Sequence, residues 1–319
     1  MSAGLAVVAF GGNALVRDPE HESIPYQYET VVRTVPAIVD MIAKGWDVVV
    51  THGNGPQVGF ILRRSELAAA EVAPVPLDYA VADTQGAIGY MFVKALSNEL
   101  AARGLRRPVV SLVTQTVVDP ADPAFDRPAK PIGSFFDEET ARRYADELGW
   151  TVAEDSGRGW RRTVASPEPV EIVELGTIRD LAGRGTVVVA GGGGGVAVAR
   201  DGDGRLTGVE AVIDKDRAAA LLAAELGADL LAIPTGVDRV AIHFGTPQER
   251  WLDHLTPETA AEYVAEGHFG EGSMRPKVEA IIDFLRARPA ASGLITAPHL
   301  LADALSGAAG TWISKGDNA

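Results

Sequence analysis

Lysine is scarce in this chain and unevenly placed. Only six of the 29 basic residues are lysines: Lys44, Lys94, Lys130, Lys215, Lys277 and Lys315. Two of them stand where a cation is least welcome. Lys215, in VIDKD at 212–216, opens a helix predicted over 216–226, and Lys277, in GSMRPK at 272–277, falls in the first turn of another predicted over 275–288. A positive charge at a helix N-terminus opposes the macrodipole by up to about 1 kcal/mol. Two bland readings are open: Asp214 and Asp216 neutralise Lys215, and Lys277 beside Arg275 is a solvated charge. A phosphate at both helix starts removes the conflict and also uses the unpaired N–H groups there. Two ammonium groups converging on one anion, with no carboxylate–histidine pair, are the equipment of phosphoryl transfer, which asks for positioning and charge neutralisation. Lysine suits that role as a compact point charge. Asp216 would then hold the lysines in place, and Asp214 would do the same or reach a magnesium ion through water.

Glycine-bearing turns supply the second set of candidates. Gly11-Gly12-Asn13 and His52-Gly53-Asn54-Gly55-Pro56 are near twins, each presenting backbone amides and a carboxamide. Either alone reads as an ordinary Asn-Gly type turn, but two together suit a substrate with a phosphate and a carboxylate-like group. A run of five glycines, 191–195, offers amides that an anion can approach closely, or else marks tight packing of the backbone. It contains a formal G-x-G-x-x-A match, yet VAVA at 196–199 followed by DGDG reads as a strand entering a turn, not the helix a dinucleotide fingerprint requires.

The elements that must position these residues follow a repeated pattern of short apolar run, glycines, then helical period. Strands are predicted at 5–10, 47–51, 108–113, 186–190, 229–234 and 293–296, and helices at 28–44, 56–71, 84–103, 137–148, 216–226, 257–267 and 275–288. The strand runs lack polar/apolar alternation, so both faces are covered, as in a parallel sheet between helix layers. The glycine clusters then sit at the carboxyl ends of strands, where open α/β sheets bind ligands. The stretch 119–169 breaks the rhythm with Pro120, Pro123, Pro128 and Pro131, and reads as an inserted subdomain.

Composition narrows the classes. The 319 residues are 46% hydrophobic and 23% charged with mean hydropathy near zero, an ordinary globular balance with room for one large or two smaller domains. Without cysteine, thiol nucleophiles, disulfides and thiolate metal sites are excluded. The N-terminal residues have no basic signal-like start and no span is long and apolar enough for a bilayer, so a soluble, cytoplasmic protein is expected. A net charge of −14 repels nucleic acid and anionic membranes. Gly-Lys never occurs, which removes a Walker A loop, and neither G-x-S-x-G nor H-E-x-x-H is present. DGDG at 201–204 begins like a calcium loop but has Leu206 and Val212 where glycine and glutamate belong, so it reads as a hairpin turn.

At these residues the sequence resembles the carbamate kinases, within the amino-acid kinase fold family. The motifs are VVAFGGNAL, VVVTHGNGPQVG, DTQGAIGY, VVDPADPAF, KPIG at 130–133, EDSGRGWRR at 154–162, the glycine run, GVEAVIDKD, TGVD at 235–238, GHF followed by EGSMRPK, and GLIT. The resemblance implies a three-layer α/β/α sandwich with a mainly parallel central sheet and a protruding subdomain. It implies one domain over 1–319, with a substrate lobe at 1–180 carrying the insert 119–169 and a nucleotide lobe at 181–319. The implied reaction is ATP plus carbamate giving ADP and carbamoyl phosphate, with Mg²⁺ held by phosphates and water and not by direct protein ligands. A homodimer, and net ATP formation in arginine catabolism, are implied too. Carried over, Lys130, Lys215, Lys277 and Asp216 are catalytic; Gly11, Gly12, Asn13, Gly53 and Asn54 cradle the substrate. Gly191, Gly192, Gly193, Gly194, Asp214, Thr235, Gly236, Val237, Asp238 and Met274 face the nucleotide. The chain departs from the family at Ile242-His243-Phe244-Gly245, where a tyrosine-like pattern is expected beside the adenine. Two other readings stay open: an acetylglutamate- or aspartate-kinase-like enzyme, against which KPIG in the insert speaks, and a non-catalytic nucleotide-binding regulator.

Overall fold

The computed structural model describes residues 3–11, 22–155 and 157–316. Its backbone is an eight-stranded sheet made of β1 (Gly4–Phe10), β2 (Trp46–His52), β3 (Val109–Ser111), β9 (Val187–Val189), β12 (Leu230–Pro234), β15 (His254–Leu255), β16 (Ser292–Thr296) and β17 (Thr311–Ile313). Their order is β15-β17-β16-β12-β1-β2-β9-β3. Every neighbouring pair is parallel except β16 with β17. The six predicted strands all lie in this sheet.

Both faces are covered, for the reason the apolar runs give. In β1, Val7 and Ala9 point into one core while Ala6, Val8 and Phe10 point into the other, and all five are buried. The first core is closed by α5 (Leu175–Gly183), α6 (Lys215–Leu226), α7 (Pro257–Ala265) and α8 (Met274–Ala287). The second is closed by α1 (Ile24–Ala43), α3 (Leu77–Ala102) and the short α9 (Leu301–Ala304). This is the expected three-layer α/β/α arrangement.

Helix α3 begins seven residues before the predicted start. Its first turns bury Leu77, Ala80 and Val81, which face a different partner from the later Ile88, Phe92 and Leu96. That partner is a four-stranded sheet of β4 (Gln115–Val118), β8 (Pro169–Ile172), β10 (Val196–Arg200) and β11 (Leu206–Gly208), together with α2 (Gly55–Ala68). The change of partner along one helix blurs its single apolar stripe, and so hid the start. VAVA does open a strand, β10, and DGDG turns it: Asp201 accepts from the N–H groups of Asp203 and Arg205.

The 119–169 stretch holds β5 (Lys130–Phe136), α4 (Glu138–Leu148), β6 (Thr151–Glu154) and β7 (Trp160–Val164), with β7 central in an antiparallel sheet. Asp137 caps α4 by accepting from the Thr140 N–H, and Gly149 ends it at φ 68°. A small hairpin, β13 (Val240–Ile242) with β14 (Arg250–Leu252), completes the strands described.

Candidate active site

Four adjacent parallel strands end side by side, and their carboxyl ends open a cavity of about 610 Å³. Gly11 follows β1; Gly53, Asn54 and Gly55 follow β2; Thr235 and Gly236 follow β12; Pro298 and His299 lie just beyond β16. The N-termini of α6 and α8 enter from one side of the sheet, and Thr30, Arg33 and Thr34 of α1 line it as well.

The charged centre is built on the start of α6. Asp214 caps the helix, its Oδ1 accepting from the N–H groups of Asp216 at 2.9 Å and Arg217 at 3.3 Å. Its Oδ2 accepts from Lys130 Nζ at 3.2 Å, which ties β5 to this helix end. Asp216 is almost fully buried and accepts from both remaining lysines: Lys215 Nζ at 2.5 Å on Oδ1 and Lys277 Nζ at 3.0 Å on Oδ2. Lys215 and Lys277, singled out by their places at helix starts, and Lys130, carried over by resemblance, are therefore gathered by two carboxylates two residues apart.

The electrostatics leave this group ready for an anion. Burial pushes the Lys277 ammonium below the ordinary lysine value and repulsion from Lys215 pushes the same way, with Asp216 pulling back. Burial works to raise the Asp214 carboxyl, but Lys130 and Lys215 outweigh it, and its pKa lies below the usual aspartate value. A bound phosphate relieves both the lysine–lysine repulsion and the unfavourable helix dipoles at the starts of α6 and α8.

The glycine run is shaped more by packing than by openness. Gly191, Gly193, Gly194 and Gly195 all have positive φ. A Cβ on Gly192 would lie 2.5 Å from His52, and one on Gly193 2.1 Å from Asn54 Nδ2. The Gly191 N–H already donates to Thr114 Oγ1, and those of Gly194 and Gly195 donate back to the carbonyls of Gly191 and Gly192. Of the run, Gly193 lines the cavity, while Gly191, Gly192 and Gly194 pack behind it. The run thereby sets Asn54, whose Nδ2 donates to Thr84 Oγ1 at 2.8 Å. His52, beneath it, is buried and stacked on Phe92, with Nδ1 donating to the Gly53 carbonyl and its pKa lowered by burial to about 4.

The other sequence-derived positions divide. Gly11, Gly53, Asn54, Lys130, Gly193, Asp214, Lys215, Asp216, Thr235, Gly236 and Lys277 all line the cavity. Val237, Asp238 and Met274 do not, and Met274, partly buried at the start of α8, packs against the first core. Gly12 and Asn13 lie outside the described residues. The departure at 242–245 is away from the cavity wall: Ile242 is buried, His243 meets His268 edge-on at 4.4 Å, and Phe244 meets Trp251 edge-on at 6.0 Å.

Comparison with known proteins decides the family. The amino acid kinase family model matches residues 4–291. Carbamate kinase of Pyrococcus furiosus is 47% identical over 281 residues, covering 88% of this chain and 89% of its own. The chain belongs to the carbamate kinases of the amino acid kinase family. Carbamate kinase from Giardia lamblia bound to AMP-PNP superposes with a TM-score of 0.92 at 40% identity, over 98% of this chain and 99% of that one. A carbamate kinase-like protein of Escherichia coli is 48% identical over 312 residues, 97% of this chain and 98% of its own. N-acetylglutamate synthase from Neisseria gonorrhoeae shares the fold alone, with a TM-score of 0.54 at 15% identity over 99% of this chain and 62% of that one. The member described here is an enzyme of the carbamate kinase family.

Sequence reasoning missed Thr30, Arg33, Thr34, Ser273 and His299 on the cavity wall. The first three lie inside a regular amphipathic helix, where nothing in their spacing separates a cavity face from a solvent face. His299 stands alone in APHL, with no second ligand or base at a telling distance in sequence.

Proposed function

We propose that the chain transfers a phosphoryl group reversibly between ATP and carbamate, giving ADP and carbamoyl phosphate. The observation that carries this reading is the convergence of Lys215 and Lys277 on buried Asp216, with Lys130 held on Asp214 beside them, in a cavity at the carboxyl edge of a parallel sheet. A carbamate oxygen attacks the γ-phosphorus of ATP as the bond to the ADP oxygen breaks. That oxygen is already anionic, so no general base is needed, and the work left to the protein is alignment and neutralisation. Lys215 and Lys277 screen the transferred phosphoryl group, Lys130 takes the carbamoyl phosphate side, and Asp216 fixes the first two in register. Gly11, Gly53 and Asn54 cradle the acid substrate, with Gly12 and Asn13 assigned there by resemblance. Thr235, Gly236 and Gly193 serve the nucleotide side, to which Val237, Asp238, Met274 and the other glycines of the run are assigned by resemblance.

The donor set fits magnesium carried by the nucleotide. Both oxygens of Asp216 accept from lysines, and those of Asp214 from Lys130 and the first N–H groups of α6, an arrangement that supports an ion ligated mainly by phosphates and water. When bound, Mg²⁺ would screen charge on the phosphate oxygens. The same reading includes net ATP formation in arginine catabolism, a cytoplasmic setting and a homodimer. Leu67, Val72, Tyr79 and Tyr90, all more than half exposed on or near α2 and α3, support an apolar face for the second copy.

The test is a coupled assay of ATP formation from carbamoyl phosphate and ADP, with acetylglutamate and aspartate tried in parallel as acceptors for ATP. Turnover with carbamoyl phosphate alone is expected. Preference for an amino-acid carboxylate would move the assignment elsewhere in the family, and nucleotide binding without turnover would point to a regulator.

A further inference from the structure

The cavity wall opposite Lys215 and Lys277 is not apolar. Helix α1 lends it Thr30, Arg33 and Thr34. The start of this helix is fastened beside the β2–α2 turn, because Gln57 Nε2 donates to Gln27 Oε1 at 3.1 Å. Gln27, Thr30 and Thr34 recur at three and four residues and share one helix face, so this wall continues the one formed by Gly53, Asn54 and Gly55. It lies on the side assigned to the acid substrate, across from the starts of α6 and α8.

The chemistry of the three side chains is complementary to a carbamoyl group. The Thr34 hydroxyl donates to the Thr30 carbonyl at 2.9 Å, and the Thr30 hydroxyl to the Tyr26 carbonyl at 3.1 Å. With their protons committed to carbonyls, the oxygens can offer only lone pairs to the cavity. Arg33 is paired with Glu29 at 3.6 Å, and both side chains are more than half exposed, a weak pair that a substrate oxygen can displace. One wall thus presents a donor cation beside fixed acceptors, which is what an O=C–NH₂ or ⁻O–C–NH₂ group requires and what an acetyl group only half satisfies.

We propose that Arg33 and Thr34 are specificity-determining residues for the acid substrate, Arg33 binding its carbonyl or carboxylate oxygen and Thr34 accepting from its amino group. The inference rests on the proposed carbamate kinase reaction. Its test compares wild type, Arg33→Gln and Thr34→Val in the coupled assay, with acetyl phosphate as competitor and melting curves to confirm folding. Arg33→Gln is expected to raise KM for carbamoyl phosphate about fivefold to tenfold, leaving KM for ADP and kcat within about twofold. Thr34→Val is expected to raise KM for carbamoyl phosphate about fivefold while the inhibition constant of acetyl phosphate stays unchanged, since acetyl has no N–H to lose. An unmoved KM in Arg33→Gln, or an equal rise for ADP, overturns the role of Arg33. Parallel shifts for carbamoyl and acetyl phosphate in Thr34→Val overturn that of Thr34. Wild type without turnover would overturn the reaction itself, and would be seen before either variant is compared.

Discussion

A buried carboxylate between two ammonium groups is an incomplete charge balance, and in the proposed reaction the missing charge is the substrate's. Replacing Lys215 or Lys277 by alanine removes one arm of the proposed phosphate clamp. Each change is expected to lower kcat about a hundredfold or more with a near-normal melting temperature, read by steady-state kinetics and calorimetry. Full turnover in either variant would remove the proposed mechanism. Asp216→Asn tests the other side of the balance, since it leaves two partly buried ammoniums facing each other without the buried carboxylate between them. A loss of roughly 3 kcal/mol in stability is expected, by analogy with broken buried ion pairs. Inorganic phosphate should restore more stability to this variant than it adds to wild type, and equal increments in a thermal shift titration would count against the anion site.

At the level of elements, the site is a consequence of how strands end. β1, β2, β12 and β16 all run the same way, so the turns after them meet at one edge. Glycine is required there by proximity as much as by turn geometry. Gly193 has φ 67° and its absent Cβ would fall on the Asn54 carboxamide. Gly193→Ala is expected to cost about 1–3 kcal/mol of stability through the left-handed backbone. It should also raise KM for carbamoyl phosphate by displacing Asn54, with calorimetry and kinetics reading the two effects separately. The sequence marked these glycines, the strand before them and the strand after them correctly. It could not decide between bare amides and tight packing, because His52, Asn54, Thr116 and Ile213, which crowd the run, come from three distant segments.

Across the whole molecule, the small sheet of β5, β6 and β7 reaches the main sheet's edge through Lys130. Its ion pair with Asp214 is partly exposed and adds at most about 1 kcal/mol. Lys130→Ala should therefore change the melting temperature little while raising KM for carbamoyl phosphate, and an unchanged KM would remove Lys130 from the site. Stability should also respond to acid through His52. Its folded-state pKa is about 4 against an ordinary 6.5, so between those values the unfolded chain binds more protons and stability falls as pH falls. The loss attributable to this residue by pH 4 is about 3 kcal/mol. Denaturant midpoints from pH 7 to 4 should drop more steeply for wild type than for His52→Gln, and parallel slopes would exclude this residue as the cause. By itself the sequence determined the alternating strand–helix order and the covered parallel sheet, and it marked Lys215 and Lys277 as candidates, because periodicity, glycine placement and charge at helix starts are local or countable. Only the tertiary structure decided that Lys130, Lys215 and Lys277 share two carboxylates, that Met274 packs against the core and does not line the cavity, and that Thr30, Arg33 and Thr34 line it. Those outcomes depend on which elements become neighbours across more than two hundred residues of chain, as Gly11 and Lys277 do, and no spacing along the sequence encodes that distance.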